Sequence, residues 1–328
     1  MNVVEEILAR KSVAILDGAL ATELEARGFN IDDELWSANA LIEAPELIKA
    51  VHLDYLRAGA DIITSASYQA TVEGFMRRGL THDEAVRLIK FSVELAKEAV
   101  KEYKEKIFLT HHPPTHVRKI FLDNARDQPS FSKRILAAAS VGSYGAFLAD
   151  GSEYRGDYNI SYEQLKTFHR ERLAILASAK PDIIAIETMP CLVEVKAIIE
   201  ELNTYPELRA WVSFSCKDGS HISNGERIAD CAAWLDNQTQ VAAVGVNCTA
   251  PEYVEALIKE ILTSTAKPVI VYPNSGEVFN VETQTWSGTP IDFAEYAKIW
   301  YEAGARIIGG CCRTTPQTIA AVKNCFCK

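Results

Sequence analysis

Several things missing from this chain narrow its function before any motif is read. It has no surplus of positive charge: Lys and Arg number 34 against 44 Asp and Glu, a formal net charge of −10. Gripping a phosphate backbone takes clustered cations, so nucleic acid is not an expected partner. No uninterrupted apolar run approaches the roughly 18 residues of a membrane span, so no membrane partner is expected either. The opening Met1-Asn2-Val3-Val4-Glu5-Glu6 is acidic, where a secretory leader would be basic and then apolar. Neither G-x-G-x-x-G nor a Walker lysine follows the first strand-like run, where Asp17-Gly18-Ala19-Leu20-Ala21 stands instead, which argues against a nucleotide site. No cysteine precedes Cys191, and none of the later ones forms a C-x-x-C pair, which weighs against a redox dithiol.

The 328 residues are 48% hydrophobic and 24% charged, ordinary for a globular protein. At about 150 residues per domain the length fits two domains, and it fits one α/β barrel with insertions equally well. Short Val- and Ile-rich runs recur at 13–16, 61–64, 136–141, 183–186, 210–215, 241–246, 269–272 and 306–308. None alternates cleanly, as befits strands buried on both faces. Helical patterns separate them, at 44–58, 81–104, 161–179, 192–203, 226–235, 251–263, 291–303 and 316–324. Two of these open with capping boxes, Thr81-x-x-Glu84 and Ser161-x-x-Gln164. Eight buried strands alternating with helices predict a single (β/α)8 barrel over residues 1–328, with an open doubly wound sheet as the alternative. The polar, proline-bearing stretch 111–133 reads as a surface insertion. Its three histidines read as loop residues, since no spacing puts them on one helix face.

In such a barrel the chemistry sits at the C-terminal ends of the strands. Those ends carry Asp17, Thr64, Glu187, Asn247-Cys248, Asn274-Ser275 and Gly309-Gly310-Cys311-Cys312. The sixth and eighth strands flank the seventh, so Cys248, Cys311 and Cys312 can converge on the mouth. Gly309-Gly310 would let the backbone turn and present neighbouring thiols inward. Three thiolates leave one position open on a tetrahedral Zn²⁺, an arrangement suited to catalysis. The competing reading, that cysteines are small core hydrophobes, is accepted for Cys191, Cys216 and Cys231. Cys325 and Cys327 are expected to be frayed tail residues. Eight thiols without a disulfide framework suit a reducing, cytoplasmic compartment. An acidic surface suits a monomer or a homodimer.

Four segments together resemble the zinc-dependent homocysteine S-methyltransferases: Asp17-Gly18-Ala19, Gly245-Val246-Asn247-Cys248, Tyr272-Pro273-Asn274-Ser275-Gly276-Glu277, and Gly309-Gly310-Cys311-Cys312-Arg313-Thr314-Thr315-Pro316. The stretch from Ser140 to Tyr154 is similar to the branch that uses S-methylmethionine. The resemblance covers nearly the whole chain. It implies a barrel whose Zn²⁺ is held by Cys248, Cys311 and Cys312, with the homocysteine thiol taking the fourth position and attacking the methyl of a sulfonium donor. It further implies that Asp17, Thr64 and Glu187 hold the amino acid part of homocysteine and that Trp36 and Tyr68 face the donor, where an aromatic face suits a cation. Asn247, Asn274 and Ser275 would bond the ligands or tie loops, and Arg313 would bind a carboxylate or cap a turn. S-adenosylmethionine or betaine as donor, selenocysteine as acceptor, and a non-catalytic barrel that binds zinc and an amino acid remain as alternatives. A Schiff-base aldolase is not favoured, because no strand end carries a lysine.

Overall fold

The computed structural model describes residues 1–31, 35–111, 134–280 and 285–326. Eight parallel strands form one sheet: β1 (Ala14–Ile15), β2 (Ile62–Thr64), β3 (Leu136–Val141), β4 (Ile183–Met189), β5 (Ala210–Phe214), β6 (Val241–Asn247), β7 (Val269–Tyr272) and β10 (Ala305–Ile308). Between the last two lies an antiparallel hairpin, β8 (Val278–Asn280) with β9 (Thr285–Ser287). The order is β1-β10-β7-β6-β5-β4-β3-β2, and a parallel bridge between Leu16 and Ile62 joins its two ends. The expected (β/α)8 barrel is therefore the fold.

Strand side chains alternate between two environments, as a pleated strand requires. Leu16, Ile62, Ala138, Ala185, Trp211 and Ile270 point into the barrel. Ile15, Ile63, Ala139, Ile184, Val212 and Val271 meet the surrounding helices. Both sets are apolar, which is why the sequence shows no alternation. Val4 and Ile7 join the interior cluster from a short helix, Val3–Leu8. They pack with Ala14, Leu136 and Ala242 at strand starts, so this helix stoppers the end opposite the mouth. Its capping box, Asn2 with Glu5, fixes where it begins.

The eight expected helices are present, with ends shifted by a few residues. The second runs His82–His111, past the expected end at 104. Residues 112–133, which hold nearly all of the expected insertion, lie outside the described residues. The sequence reading omitted the helices Val3–Leu8, Leu20–Ala26, Ala40–Glu43, Val72–Arg77 and Tyr144–Leu148, as well as the β8–β9 hairpin. Among the described residues no helix is long and apolar enough to cross a membrane.

Candidate functional site

Because β6 and β10 both pair with β7, their C-terminal ends meet at the barrel mouth. Cys248 follows the last residue of β6, and Cys311 and Cys312 lie just beyond β10. The Sγ atoms of Cys248 and Cys311 are 2.8 Å apart, and those of Cys248 and Cys312 are 3.7 Å apart. All three sulfurs lie within 4.8 Å of one another, the only such metal-capable group among the described residues. The segment after β7 stitches the two cysteine loops together. The Cys248 N–H donates to the Tyr272 carbonyl (3.4 Å), Cys311 N–H to the Pro273 carbonyl (2.8 Å), and Ser275 N–H to the Cys312 carbonyl (3.0 Å).

The backbone around the sulfurs is strained. Thr188, Cys248 and Arg313 adopt left-handed φ values of 57°, 48° and 65°. Such conformations cost on the order of 1–3 kcal/mol each in a non-glycine residue and cluster at functional sites. The tight turn therefore falls on Cys248 and Arg313. Gly309 and Gly310, expected to supply it, do not adopt left-handed φ; they are needed for closeness. A Cβ on Gly309 would stand 2.6 Å from Leu16 Cβ, and one on Gly310 would stand 2.4 Å from Thr314 Oγ1.

Crowding raises the thiols. The Cys311 thiol is pushed well above its ordinary range, first by the hydrogen bond it shares with Cys248 and then by burial. A divalent cation would reverse that balance by favouring the thiolate. The donor set suits a soft ion. Two sulfurs at about 2.3 Å from a tetrahedral Zn²⁺ lie roughly 3.8 Å apart. The Cys248–Cys312 spacing of 3.7 Å fits this, and Cys311 at 2.8 Å from Cys248 sits closer than it would around an ion.

A carboxylate group lies across the mouth. Asp17 accepts the Thr64 N–H (2.7 Å) and the Thr64 hydroxyl (3.0 Å). Burial pushes its carboxyl up to about 8, with the charge of Glu187 adding to the shift and the Thr64 bonds opposing it. Glu187 accepts a hydrogen bond from the Ser140 hydroxyl. Burial pushes its carboxyl up to about 7. Asn247 accepts the Thr188 N–H (2.8 Å) and donates to the Thr188 hydroxyl (2.7 Å), so it ties the ends of β4 and β6 together.

On the other side stand the aromatics. The Trp36 and Tyr68 rings are 6.4 Å apart, edge to face. Burial pushes the Tyr68 phenol well above its ordinary range, and the charges of Glu153 and Cys248 add to the shift. The Asn274 N–H donates to the Thr249 carbonyl (3.1 Å), while its buried Oδ1 has no partner among the described residues. The Ser275 hydroxyl donates to Glu277 (2.8 Å), which also accepts from Arg313 (3.4 Å). Arg313 thus has a carboxylate partner within the protein. The fold brings all the sequence-predicted residues to this one end.

The homocysteine S-methyltransferase family profile matches residues 14–326. The chain belongs to the homocysteine S-methyltransferase family. It is 49% identical to homocysteine S-methyltransferase YbgG of Bacillus subtilis over 98% of this chain and 97% of that one. It is 47% identical to selenocysteine Se-methyltransferase of Brassica oleracea over 94% of this chain and 87% of that one. The crystal structure of the homocysteine methyltransferase MmuM from Escherichia coli, in its metallated form, superposes with a TM-score of 0.82 at 44% identity, covering 98% of this chain and 99% of that one.

In this homocysteine S-methyltransferase family member the site holds two residues to which the sequence reading gave no role. Tyr154 directs its hydroxyl at Cys248 Sγ, 3.9 Å away. Beside it, Glu153 has a buried Oε2 without a partner among the described residues, and burial raises its carboxyl above the usual range. Both belong to the Ser140–Tyr154 stretch already singled out. Of the other cysteines, Cys191 and Cys231 are buried and Cys216 is partly buried, as packing requires. Cys325 corrects an expectation. It is half-buried in the helix Pro316–Phe326, and its thiol bonds the Ala294 carbonyl (3.4 Å) and the Ala321 carbonyl (3.3 Å). Cys327 lies outside the described residues.

Proposed function

We propose that this chain transfers a methyl group from S-methylmethionine to the thiol of homocysteine, with Cys248, Cys311 and Cys312 holding a zinc ion. The observation that carries this reading is the convergence of three sulfurs within 4.8 Å, at the same end of the barrel as buried carboxylates and an aromatic pair, in a member of this family. Zinc, when bound, supplies the charge that lets a thiol of ordinary pKa near 8.5 give up its proton at neutral pH.

The chain's own residues do the rest. Asp17 and Glu187, with Thr64 fixing the orientation of Asp17, receive the ammonium of homocysteine. Glu153 adds a carboxylate oxygen that has no partner among the described residues. The Asn274 side chain, also unpartnered at Oδ1, and Ser275 bond the same ligand. Asn247 holds the Thr188 turn at the end of β4. Trp36 and Tyr68 place an aromatic face against the cationic sulfonium. The acceptor sulfur's electron pair forms the new S–CH₃ bond. The pair of the breaking bond returns to the donor sulfur, which leaves as a neutral thioether. Both products are methionine, and the positive charge that the aromatic wall attracts is gone after transfer, which favours release.

The test is a donor panel on zinc-loaded protein, scoring methionine formed from S-methylmethionine, S-adenosylmethionine and betaine. S-methylmethionine is expected to give the highest kcat/KM. A higher value for betaine would overturn the donor assignment, and zinc-loaded protein that forms no methionine would overturn the activity. A second acceptor, selenocysteine, is favoured by the 47% identity to a selenocysteine Se-methyltransferase. The same assay with selenocysteine in place of homocysteine decides it. That every cysteine among the described residues is free fits the reducing cytoplasm as the place of action.

A further inference from the structure

Behind the aromatic wall lies a buried cation. Arg172, on the helix Tyr162–Ser178, is 2% exposed. Among the described residues no carboxylate makes an ion pair with it, and its Nε has no hydrogen-bond partner. Burying a guanidinium costs several kcal/mol, which a direct ion pair normally offsets. Here its donors go to backbone carbonyls: Nη1 to Gly142 (2.9 Å), and Nη2 to Ser67 (2.6 Å) and to Tyr68. These carbonyls belong to the segments just beyond β2 and β3, the same segments that lead into Tyr68 and towards Glu153 and Tyr154.

The carbonyl of Tyr68 is held twice, by Arg172 and by the Gly142 N–H (3.2 Å). Gly142 packs so closely that a Cβ there would lie 2.4 Å from that oxygen. At its other end the Tyr68 ring meets Trp36 edge to face, 6.4 Å between centroids. Arg172 and Gly142 therefore fix the backbone from which the Tyr68 ring projects. The helix that carries Arg172 is itself pinned one turn earlier. His169 bonds Glu194 (2.8 Å), and Glu194 also accepts the Tyr144 N–H (2.5 Å) and the Tyr158 hydroxyl.

We infer that Arg172 is a positioning residue for the methyl donor: by binding the carbonyls of Ser67, Tyr68 and Gly142 it fixes where the Tyr68 ring stands over the reacting sulfur. The inference rests on the proposal that Tyr68 faces the donor. A guanidinium suits the task because its planar fork spans several acceptors in one fixed geometry, which an ammonium cannot.

The experiment is a double-mutant cycle on zinc-loaded protein with Arg172→Met, Tyr68→Leu and the pair, measuring the KM of donor and of homocysteine, zinc content and Tm. Arg172→Met is expected to raise the donor KM by about tenfold while homocysteine KM and zinc content stay within about twofold. The pair is expected to be no worse than Tyr68→Leu alone, because Arg172 acts through that ring. Arg172→Lys should restore part of the donor KM, and it carries the comparison if Arg172→Met does not fold. If Tyr68→Leu leaves the donor KM unchanged, the donor wall is misassigned. If Tyr68→Leu raises it and the Arg172 variants do not, or the two effects multiply in the pair, the positioning role is wrong. An equal rise in both KM values with loss of zinc would show Arg172 to be a general support of the fold, and would also overturn the inference.

Discussion

Asp17 has two opposed demands on its proton. In the folded protein burial pushes its carboxyl from an ordinary 3.8 up to about 8, so it holds a proton that the unfolded chain would release. The sign for stability follows by linkage. The contribution of this group favours folding fully below its unfolded value of 3.8 and is lost as pH climbs through about 8. A ligand ammonium reverses the preference, because it needs the ionised form. L-methionine, which carries the same ammonium and carboxylate but no thiol, should therefore bind more tightly at about pH 8 than at about pH 6. In Asp17→Asn that rise should shrink, and the variant should gain thermal stability relative to the native protein chiefly at the alkaline end. Calorimetric titration at the two pH values checks the first expectation and melting curves check the second. A native affinity that is flat with pH would remove Asp17 from the ammonium site.

At the scale of elements, the cysteine loops depend on how closely β6 and β7 approach. Gly245 lies in β6, where a Cβ would fall 1.6 Å from the Ile270 carbonyl oxygen of β7. Neither strand can yield, because each is also paired on its far side. Gly245→Ala should therefore cost more than about 3 kcal/mol and reduce zinc content as the mouth distorts, which a denaturant melt and a metal assay would read. A stable, fully metallated variant would show that the strands can part without cost. This region also marks where sequence was informative and where it was not. The residues of β3 were legible to the last position, because a short, nearly all-apolar run closed by Gly142 reads as a strand buried on both faces. β4 continues beyond 186 to Met189, because Glu187 and Thr188 remain buried at the mouth although both are polar. The sulfur trio was legible because adjacent cysteines after two glycines make poor core. Glu153 was not, because its role comes from a loop folding back over the end of β5, where its carbonyl accepts the Ser215 hydroxyl (3.2 Å), and no local pattern announces that. The helix Val3–Leu8 was missed for the same reason: only the closed barrel gives Val4 and Ile7 a hole to fill.

At the scale of the whole molecule, the three cysteines proposed to hold the ion follow two strands that are distant in sequence and meet only when the barrel is complete. β10 pairs with β7 on one side and β1 on the other, so the loop bearing Cys311 and Cys312 sits at the seam where the last strand meets the first. Gly310 N–H donates to the Asp17 carbonyl (3.0 Å) and Arg313 N–H to the Thr22 hydroxyl (3.1 Å), so the same loop also ties the chain's two ends together. An ion held by Cys248, Cys311 and Cys312 would bind the folded barrel and not the unfolded chain. It would therefore stabilise the closed form by about 4 kcal/mol at a thousandfold excess over its Kd. Chelation should lower Tm by several degrees, reversibly on re-adding zinc, and should expose three additional thiols to a reporter reagent. In Cys312→Ala the apo and zinc-treated proteins should melt together, at a temperature near that of the chelated native protein, because an alanine at a partly buried loop position costs little once the ion is gone. If the native protein melts identically with and without zinc, the ion does not join these two strands. If Cys312→Ala keeps the full zinc-dependent shift, Cys312 is not among its ligands.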